Sequence, residues 1–399
     1  MKKILALDIK YALMQVLYFG SFCGLMAYAS VFFLAHGVSN ATIGIILAIT
    51  SVITVFTQPL IAGFADQHPQ IELRKLVVAM TVLTIILPIL LYVFKGITAL
   101  LIAFFVSVAT IMMTMQPLFN SLAFVFEKYG IEINYGVARG LGSASYALVS
   151  FAVGHLVEAY NADLIPWVYI ILNILLVLVV YGYVLPKTAK TTTTLQAEKQ
   201  IGEKTSFIQF CTKYKRFMIF VFGVMVVFFT HTIINNFFIQ ILTPINGTEG
   251  DMGTAVFIAA IVELPAMSMF NVIRQKISCQ KLLMISVVVF ALKHTMTYLA
   301  TSVFMIYVAQ FMQIGAYAIL IPASVYYVND KIAENDANKG QSMVTTAIAA
   351  SGILANLVGG ILLDTLGVHQ VLLIGAIVSF IGAAIVIVAM KEPKQVHNG

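Results

Sequence analysis

Charge is scarce in this chain: Asp, Glu, Lys and Arg make up 10% of its 399 residues, against about 25% in soluble domains. With 60% hydrophobic residues, a water-soluble globule is excluded and a polytopic membrane protein is expected. Cysteine is scarcer still. Cys23, Cys211 and Cys279 are odd in number and scattered, which excludes a disulfide framework and any cysteine-based metal spacing. No HExxH, GxSxG or paired-aspartate pattern occurs, so an enzyme would lack its nucleophile–base or metal constellation; neither a metal nor an organic cofactor is expected. Residues 1–10 lack the uninterrupted apolar core and small-residue cleavage site of a signal peptide and read as a cytoplasmic lead-in to the first helix. Polar stretches are rare too. The only long one, Pro186 to Ser206, reads as a solvated cytoplasmic linker. Without a sizeable soluble domain, a non-transporting sensor has little with which to pass on a signal.

What is present is apolar length. Windows of about 20 apolar residues cross a bilayer core, and twelve occur: 11–35, 41–64, 75–94, 98–127, 135–158, 164–185, 216–242, 253–273, 281–301, 303–328, 341–363 and 368–390. The formal charge of +6 would suit a nucleic-acid binder, but the placement of the bases argues against one. With these spans, Lys95 alone falls on the far side, Arg139 and Lys293 fall inside helices, and the other Lys and Arg share one side. That asymmetry places both termini in the cytoplasm, as for a multi-pass protein of a bacterial plasma membrane.

The segment from Tyr135 to Tyr146 holds the most informative residue. Arg139 lies inside a membrane helix, at an insertion cost of about 2.5–3.5 kcal/mol, and cannot shed its proton. It must face a polar cavity or a partner, either a ligand or a loop carboxylate such as Glu127 or Glu132. Gly136, Gly140, Gly142, Ser143, Ala144 and Ala147 remove bulk around it, so that neighbouring helices can approach. Tyr146 shares roughly its face, seven residues on.

The two halves repeat. Adding 206 carries Pro59 onto Pro265, Lys75-Leu76 onto Lys281-Leu282, and Gly154 onto Gly360. One offset at three separated places marks parallel repeats of the kind carriers use, with the substrate site near the midplane. The expected fold is therefore an all-α membrane protein of twelve transmembrane helices in two pseudo-symmetric six-helix bundles. Their bounds are 1–185 and 207–399, with the linker at 186–206.

Gly63-Phe-Ala-Asp66, followed by Arg74-Lys75, resembles the signature loop of the major facilitator superfamily, stretched and without the usual glycine before the basic pair. Physically, Asp66 can latch onto a base across the cytoplasmic face while Gly63 allows close packing; Gly63, Asp66, Arg74 and Lys75 are the expected conformational latch. Within that superfamily, Tyr135-Gly-Val-Ala-Arg139, Glu263-Leu-Pro265 and Lys339-Gly340-Gln341 resemble the oligosaccharide and nucleoside proton symporters, the lactose permease group. The resemblance implies that Arg139 holds substrate hydroxyls, that Tyr146 stands where a stacking tryptophan would, and that Glu263 is the carboxylate near substrate or proton. It also places Lys293 about where that group carries a cation in its ninth span. The chain departs from the group in three spans. The seventh offers His231, Asn235 and Asn236 in place of acids, the tenth Gln313 and Tyr317 in place of a His and a Glu, and the eleventh no base. Galactoside specificity is not implied.

Glu263 sits near mid-span, where a carboxylate must bind a proton or pair with a cation such as Lys293. Pro265 leaves the carbonyl of Ile261 without its helical amide. Lys293 and His294 point about 100° apart, so Lys293 is the expected cavity residue and His294 the packing one. Asn120 and Gln116 offer amide donors and acceptors for a hydroxylated ligand or for a neighbouring helix. His231 and Asn235 share a face; Asn235 is expected to contact ligand, and His231 either carries a proton or packs. Tyr18, Phe22 and Tyr28 wall a ligand or pack. Trp167 suits an interfacial anchor.

The expectation is a proton-coupled symporter working by alternating access on a small hydroxylated solute, a saccharide ahead of a nucleoside. Its substrate set would be Arg139, Tyr146, Asn120, Asn235, Lys293 and Gln116, with Glu263 and His231 coupling the proton. The proton is the driving ion, the lipid bilayer and the solute are the partners, nucleic acid is not, and the chain is a monomer. A proton-coupled drug exporter is the rival, although the fifth span lacks the glycine–proline signature of such antiporters. A lipid-linked-sugar flippase is a further one.

Overall fold

In the computed structural model, residues 2–68, 70–126, 131–184 and 206–391 are described, and no strand occurs among them. Glu127 and almost all of the 186–206 linker lie outside the described residues. Twelve helices are long and apolar enough to cross a membrane: α1 (Ala6–Ala27), α2 (Asn40–Gln67), α3 (Leu73–Val93), α4 (Thr98–Leu122), α5 (Tyr135–Ala159), α6 (Leu164–Tyr181), α7 (Lys215–Asn236), α8 (Glu249–Ser268), α9 (Cys279–Leu299), α10 (Val303–Lys331), α11 (Glu334–Leu366) and α12 (Val368–Met390). Each falls on one of the apolar windows. Their outer faces keep large hydrophobic side chains exposed, among them Phe56, Leu60, Leu178, Phe304 and Val388. Water would drive such surface together, whereas lipid solvates it.

The chain divides into two compact units, one of Met1–Ala197 with Asn236–Ala260, the other of Glu198–Asn235 with Ile261–Gly399. In the first, α1 packs on α5 and α6, and α3 on α4 and α6. In the second, α9 packs on α10 and α12. The offset of 206 carries α3 onto α9, and each has the span after it and the span three after it as neighbours. The repeat seen in three short matches is thus a repeat of packing.

Asn236–Ala260 follows the linker in sequence, yet it packs within the first unit. The reason is a backbone contact between α5 and α8. A Cβ on Gly253 would lie 2.5 Å from the Ser150 carbonyl oxygen and 3.1 Å from the Cα of Gly154. Only glycine at both positions permits that approach. Tyr28 Oη donates to the same Ser150 carbonyl at 2.5 Å, Ser30 Oγ donates to the Asn236 carbonyl, and Gln240 Nε2 donates to Asn40 Oδ1 at 2.8 Å.

Two further details answer questions raised by the sequence. Lys95, the single base on the far side, is paired with Asp163, which also lies 3.2 Å from His36 Nε2. Pro117 removes the amide that would bond the carbonyl of Met113, and Gln58 Nε2 takes that carbonyl at 2.9 Å. An intramembrane proline is tolerated because a neighbouring side chain satisfies the group it frees.

Candidate functional site

Each unit carries its own polar set. In the first, α5 begins where Asn134 Oδ1 accepts from the Val137 amide at 3.2 Å, while Asp8 Oδ1 accepts from the Asn134 amide at 3.0 Å. Arg139 follows one turn into the helix. Its guanidinium carbon stands 3.9 Å from the centroid of the Phe19 ring on α1, and Nη1 donates to Ser143 Oγ at 3.0 Å. An aromatic face and a hydroxyl stabilise the cation without neutralising it. Of the five N–H donors a guanidinium carries, only this one is engaged among the described residues. No acid pairs with it there, and Glu132 is exposed.

The small residues around Arg139 divide sharply. A Cβ on Gly142 would meet Phe19 Cδ2 at 2.8 Å and the Gln15 carbonyl at 3.2 Å, whereas one on Gly140 meets nothing within 4 Å. Close approach therefore explains Gly142 and not Gly140. Tyr146 is half-buried two turns along the same helix. On α4, Asn120 and Gln116 flank Pro117, both half-buried. Neither amide makes a side-chain hydrogen bond among the described residues, so both stay available to a ligand. The α1 aromatics are committed elsewhere: Tyr18 Oη donates to the Met112 carbonyl at 2.8 Å, and buried Tyr28 is tied to Ser150. Both join helices rather than wall a cavity.

In the second unit the polar groups are bonded to one another. Lys293 on α9 is fully buried. Its Nζ donates to Gln313 Oε1 at 2.5 Å, and Gln313 Nε2 donates to Glu263 Oε1 at 2.9 Å. The amide accepts from the cation on one side and donates to the carboxylate on the other, as its two ends require. Gln313 is itself 5% exposed, and it sits in a 3₁₀ turn, Met312–Ile314, that interrupts α10. Its part was not foreseen. The legible signal was an amide beside Gly315 in a largely apolar span that also holds Gln310.

His294 Nδ1 lies 2.6 Å from Ser379 Oγ, which donates to the Gly375 carbonyl at 2.9 Å. That hydroxyl has one proton, so in this network His294 donates from Nδ1. On α7, Asn235 Nδ2 and His231 Nε2 are 3.1 Å apart, and Asn235 is exposed. The His231 ring is buried among Phe290, His294 and Tyr317, with centroids 5.1, 5.9 and 6.1 Å away. Among the described residues, His231 Nδ1 and His294 Nε2 are both buried without a hydrogen-bond partner. The expected face shared by His231 and Asn235 is present. His294, expected to pack, does so through Ser379.

The loop between α2 and α3 gathers its bases around Glu72. Arg74 Nη2 lies 2.7 Å and Lys75 Nζ 3.0 Å from Glu72, and Arg74 Nη1 donates to the Tyr181 carbonyl at 2.5 Å. These two bases hold the Glu72 carboxyl below its ordinary range. Asp66 is exposed and has no partner among the described residues, and a Cβ on Gly63 would meet nothing within 4 Å.

Among known proteins, the model of the "MFS_1 like family" matches residues 8–374. The chain is 23% identical over 365 residues to the uncharacterized transporter YwbF of Bacillus subtilis (strain 168), covering 90% of this chain and 87% of that one. The crystal structure of the nucleoside transporter NupG superposes with a TM-score of 0.79 at 16% identity, covering 97% of this chain and 100% of that one. A bacterial homolog of the human lysosomal transporter Spinster, inward-facing and unoccupied, gives 0.68 at 14% identity, with 97% of each chain covered. At these identities the two structures speak for the fold. The match to the family model spans most of the sequence, and the chain belongs to the MFS_1 like family: it is a transporter of the major facilitator type, not an enzyme.

Proposed function

We propose that the protein is a proton-coupled symporter that carries a small, neutral, hydroxylated solute through a cell membrane by alternating access, with both termini in the cytoplasm. Arg139, Tyr146, Asn120, Asn235, Lys293 and Gln116 are its substrate-contacting residues. Glu263 carries the proton, with His231 as its auxiliary. Gly63, Asp66, Arg74 and Lys75 form the cytoplasmic latch, the proton is the only coupling agent, and the transporter works as a monomer.

The observation that carries this reading is the division of labour between the two sets. Among the described residues, Arg139, Asn120 and Gln116 leave donors and acceptors unused, as a hydroxylated ligand requires. Glu263 and Lys293 form an intramembrane acid and base whose charges must be balanced by each other or by a proton. The likeness to a structure titled as a nucleoside transporter supports a nucleoside as much as a saccharide.

The test is pH-gradient-driven uptake of a labelled sugar and nucleoside panel into proteoliposomes, comparing wild type with Glu263→Gln. Gradient-dependent accumulation of one solute in wild type, with downhill exchange alone surviving in the variant, is the expected result. Entry of no sugar or nucleoside, with a lipophilic cation expelled instead, would replace symport by drug export.

A further inference from the structure

Gln313 stands at the meeting point of two irregularities. The first is chemical, since its amide lies between a buried cation and a carboxylate. The second is in the backbone: the 3₁₀ turn Met312–Ile314 interrupts α10, and the helix resumes only at Tyr317, after Ala316 with φ −89° and ψ −96°. A short 3₁₀ piece within a long helix marks a hinge or a strained point. The carbonyl of Ala316 is held by Ser286 Oγ of α9 at 2.7 Å. One helix, α9, thus grips both the side chain and the backbone of the break, through Lys293 and Ser286, two turns apart.

We propose that Gln313 is the positioning residue of the proton-coupling centre: its amide ties the charges of Lys293 and Glu263 to the broken turn of α10, so that a change of charge on either reshapes that turn. The inference rests on the reading of Glu263 as the proton carrier. A glutamine suits the place because it bonds both charged groups and carries no charge of its own. Once Glu263 is protonated, its oxygen accepts more weakly from Nε2, the amide loses one of its two anchors, and the turn gains freedom. Among the described residues, the titratable groups that interact with Lys293 besides Glu263 are His231 of α7 and His294 of α9, and Tyr317 of α10 lies against the His231 ring.

Hydrogen exchange of the full-length protein in lipid nanodiscs tests this without any substrate. Peptides covering 311–317 are followed from mildly acidic to mildly alkaline pH and corrected for the intrinsic pH dependence of exchange. In wild type, protection of this turn should fall roughly tenfold on acidification, the weight of about one hydrogen bond. The response should vanish in both Gln313→Leu and Glu263→Gln, with protection of α12 unchanged. In Gln313→Glu, which still accepts from Lys293 but carries its own charge, the response should return at a displaced pH. That displacement separates positioning from mere packing.

A wild-type response in Gln313→Leu, lost only in Glu263→Gln, overturns the role of Gln313 and leaves Glu263 standing. A response that survives in Glu263→Gln removes Glu263 as the proton carrier. A flat wild-type profile overturns both.

Discussion

Arg139 and Lys293 answer the cost of a cation within a membrane helix in opposite ways. Arg139 is half-buried, rests on the face of Phe19, and uses one donor on Ser143. Lys293 is fully buried and tied through Gln313 to Glu263. Among the described residues the first arrangement leaves its charge without an acid and its other donors unused, which suits recognition of a ligand. The second has its charges bonded internally, which suits a centre that changes state. The physical difference follows from side-chain chemistry. A guanidinium stays charged and stacks on a ring, whereas an ammonium is a compact point charge that shifts protonation readily when buried.

The largest effect that separates them should be on stability. Removing Lys293 with Lys293→Met leaves Glu263 without the cation that its neighbourhood is built around. Breaking a fully buried direct pair costs about 3–5 kcal/mol, while removing both charges is near neutral; Glu263 is half-buried and joined to Lys293 through Gln313, so the cost here is a part of that. Lys293→Met should therefore lower the thermal midpoint markedly in detergent, and the double variant Lys293→Met with Glu263→Gln should regain most of it. A double variant no more stable than Lys293→Met would mean that the two charges are not coupled.

Arg139→Lys should do the reverse. It keeps the charge, loses the planar fork, and gives up at most a ring contact worth about 0.5–1 kcal/mol at a partly exposed site. The melting temperature should barely move. Bonds from a charged donor to a ligand are worth about 1.5–3 kcal/mol, so the half-saturation concentration for transport should rise roughly 10–100-fold. A fall in stability matching that of Lys293→Met, with unchanged half-saturation, would make Arg139 structural and erase the contrast.

How much of this contrast was legible in the sequence depends on the length scale. The twelve spans were, because bilayer crossing imposes runs of apolar residues and each membrane-length helix falls on one. The repeat was also, through one offset at Pro59, Lys75 and Gly154. Arg139, Glu263 and Lys293 stood out because charge is so rare in their spans. Gln313 showed only as a replacement in the tenth span, and its bridging part was hidden because its partners are 20 and 50 residues away in sequence. The packing of Asn236–Ala260 with the first unit was hidden for a related reason: it depends on Gly154 meeting Gly253, and a single glycine in a helix does not announce what approaches it. In the loop after α2, Arg74 and Lys75 pair with Glu72, one residue before α3, which lies within reach of both.

The subtlest effect should appear at a residue that touches neither a charge nor a ligand. Gly142 sits where a methyl group would press on Phe19 Cδ2 at 2.8 Å and on the Gln15 carbonyl at 3.2 Å. The ring can move aside, but it is the ring that supports the Arg139 guanidinium. Gly142→Ala should therefore displace that support and raise half-saturation by about two- to fivefold, a fraction of the free energy of one ring–cation contact. Gly140→Ala lies two residues away on the same helix, where a methyl group meets nothing within 4 Å. It should leave transport unchanged and raise stability by about 0.5–1 kcal/mol, the helix-propensity gain of alanine over glycine. If both variants transport like wild type, the Phe19 ring does not hold Arg139 in its working position. If Gly140→Ala impairs transport as well, the open space beside it is occupied in the transport cycle, and the first unit is less pre-arranged than its contacts with Phe19 and Ser143 imply.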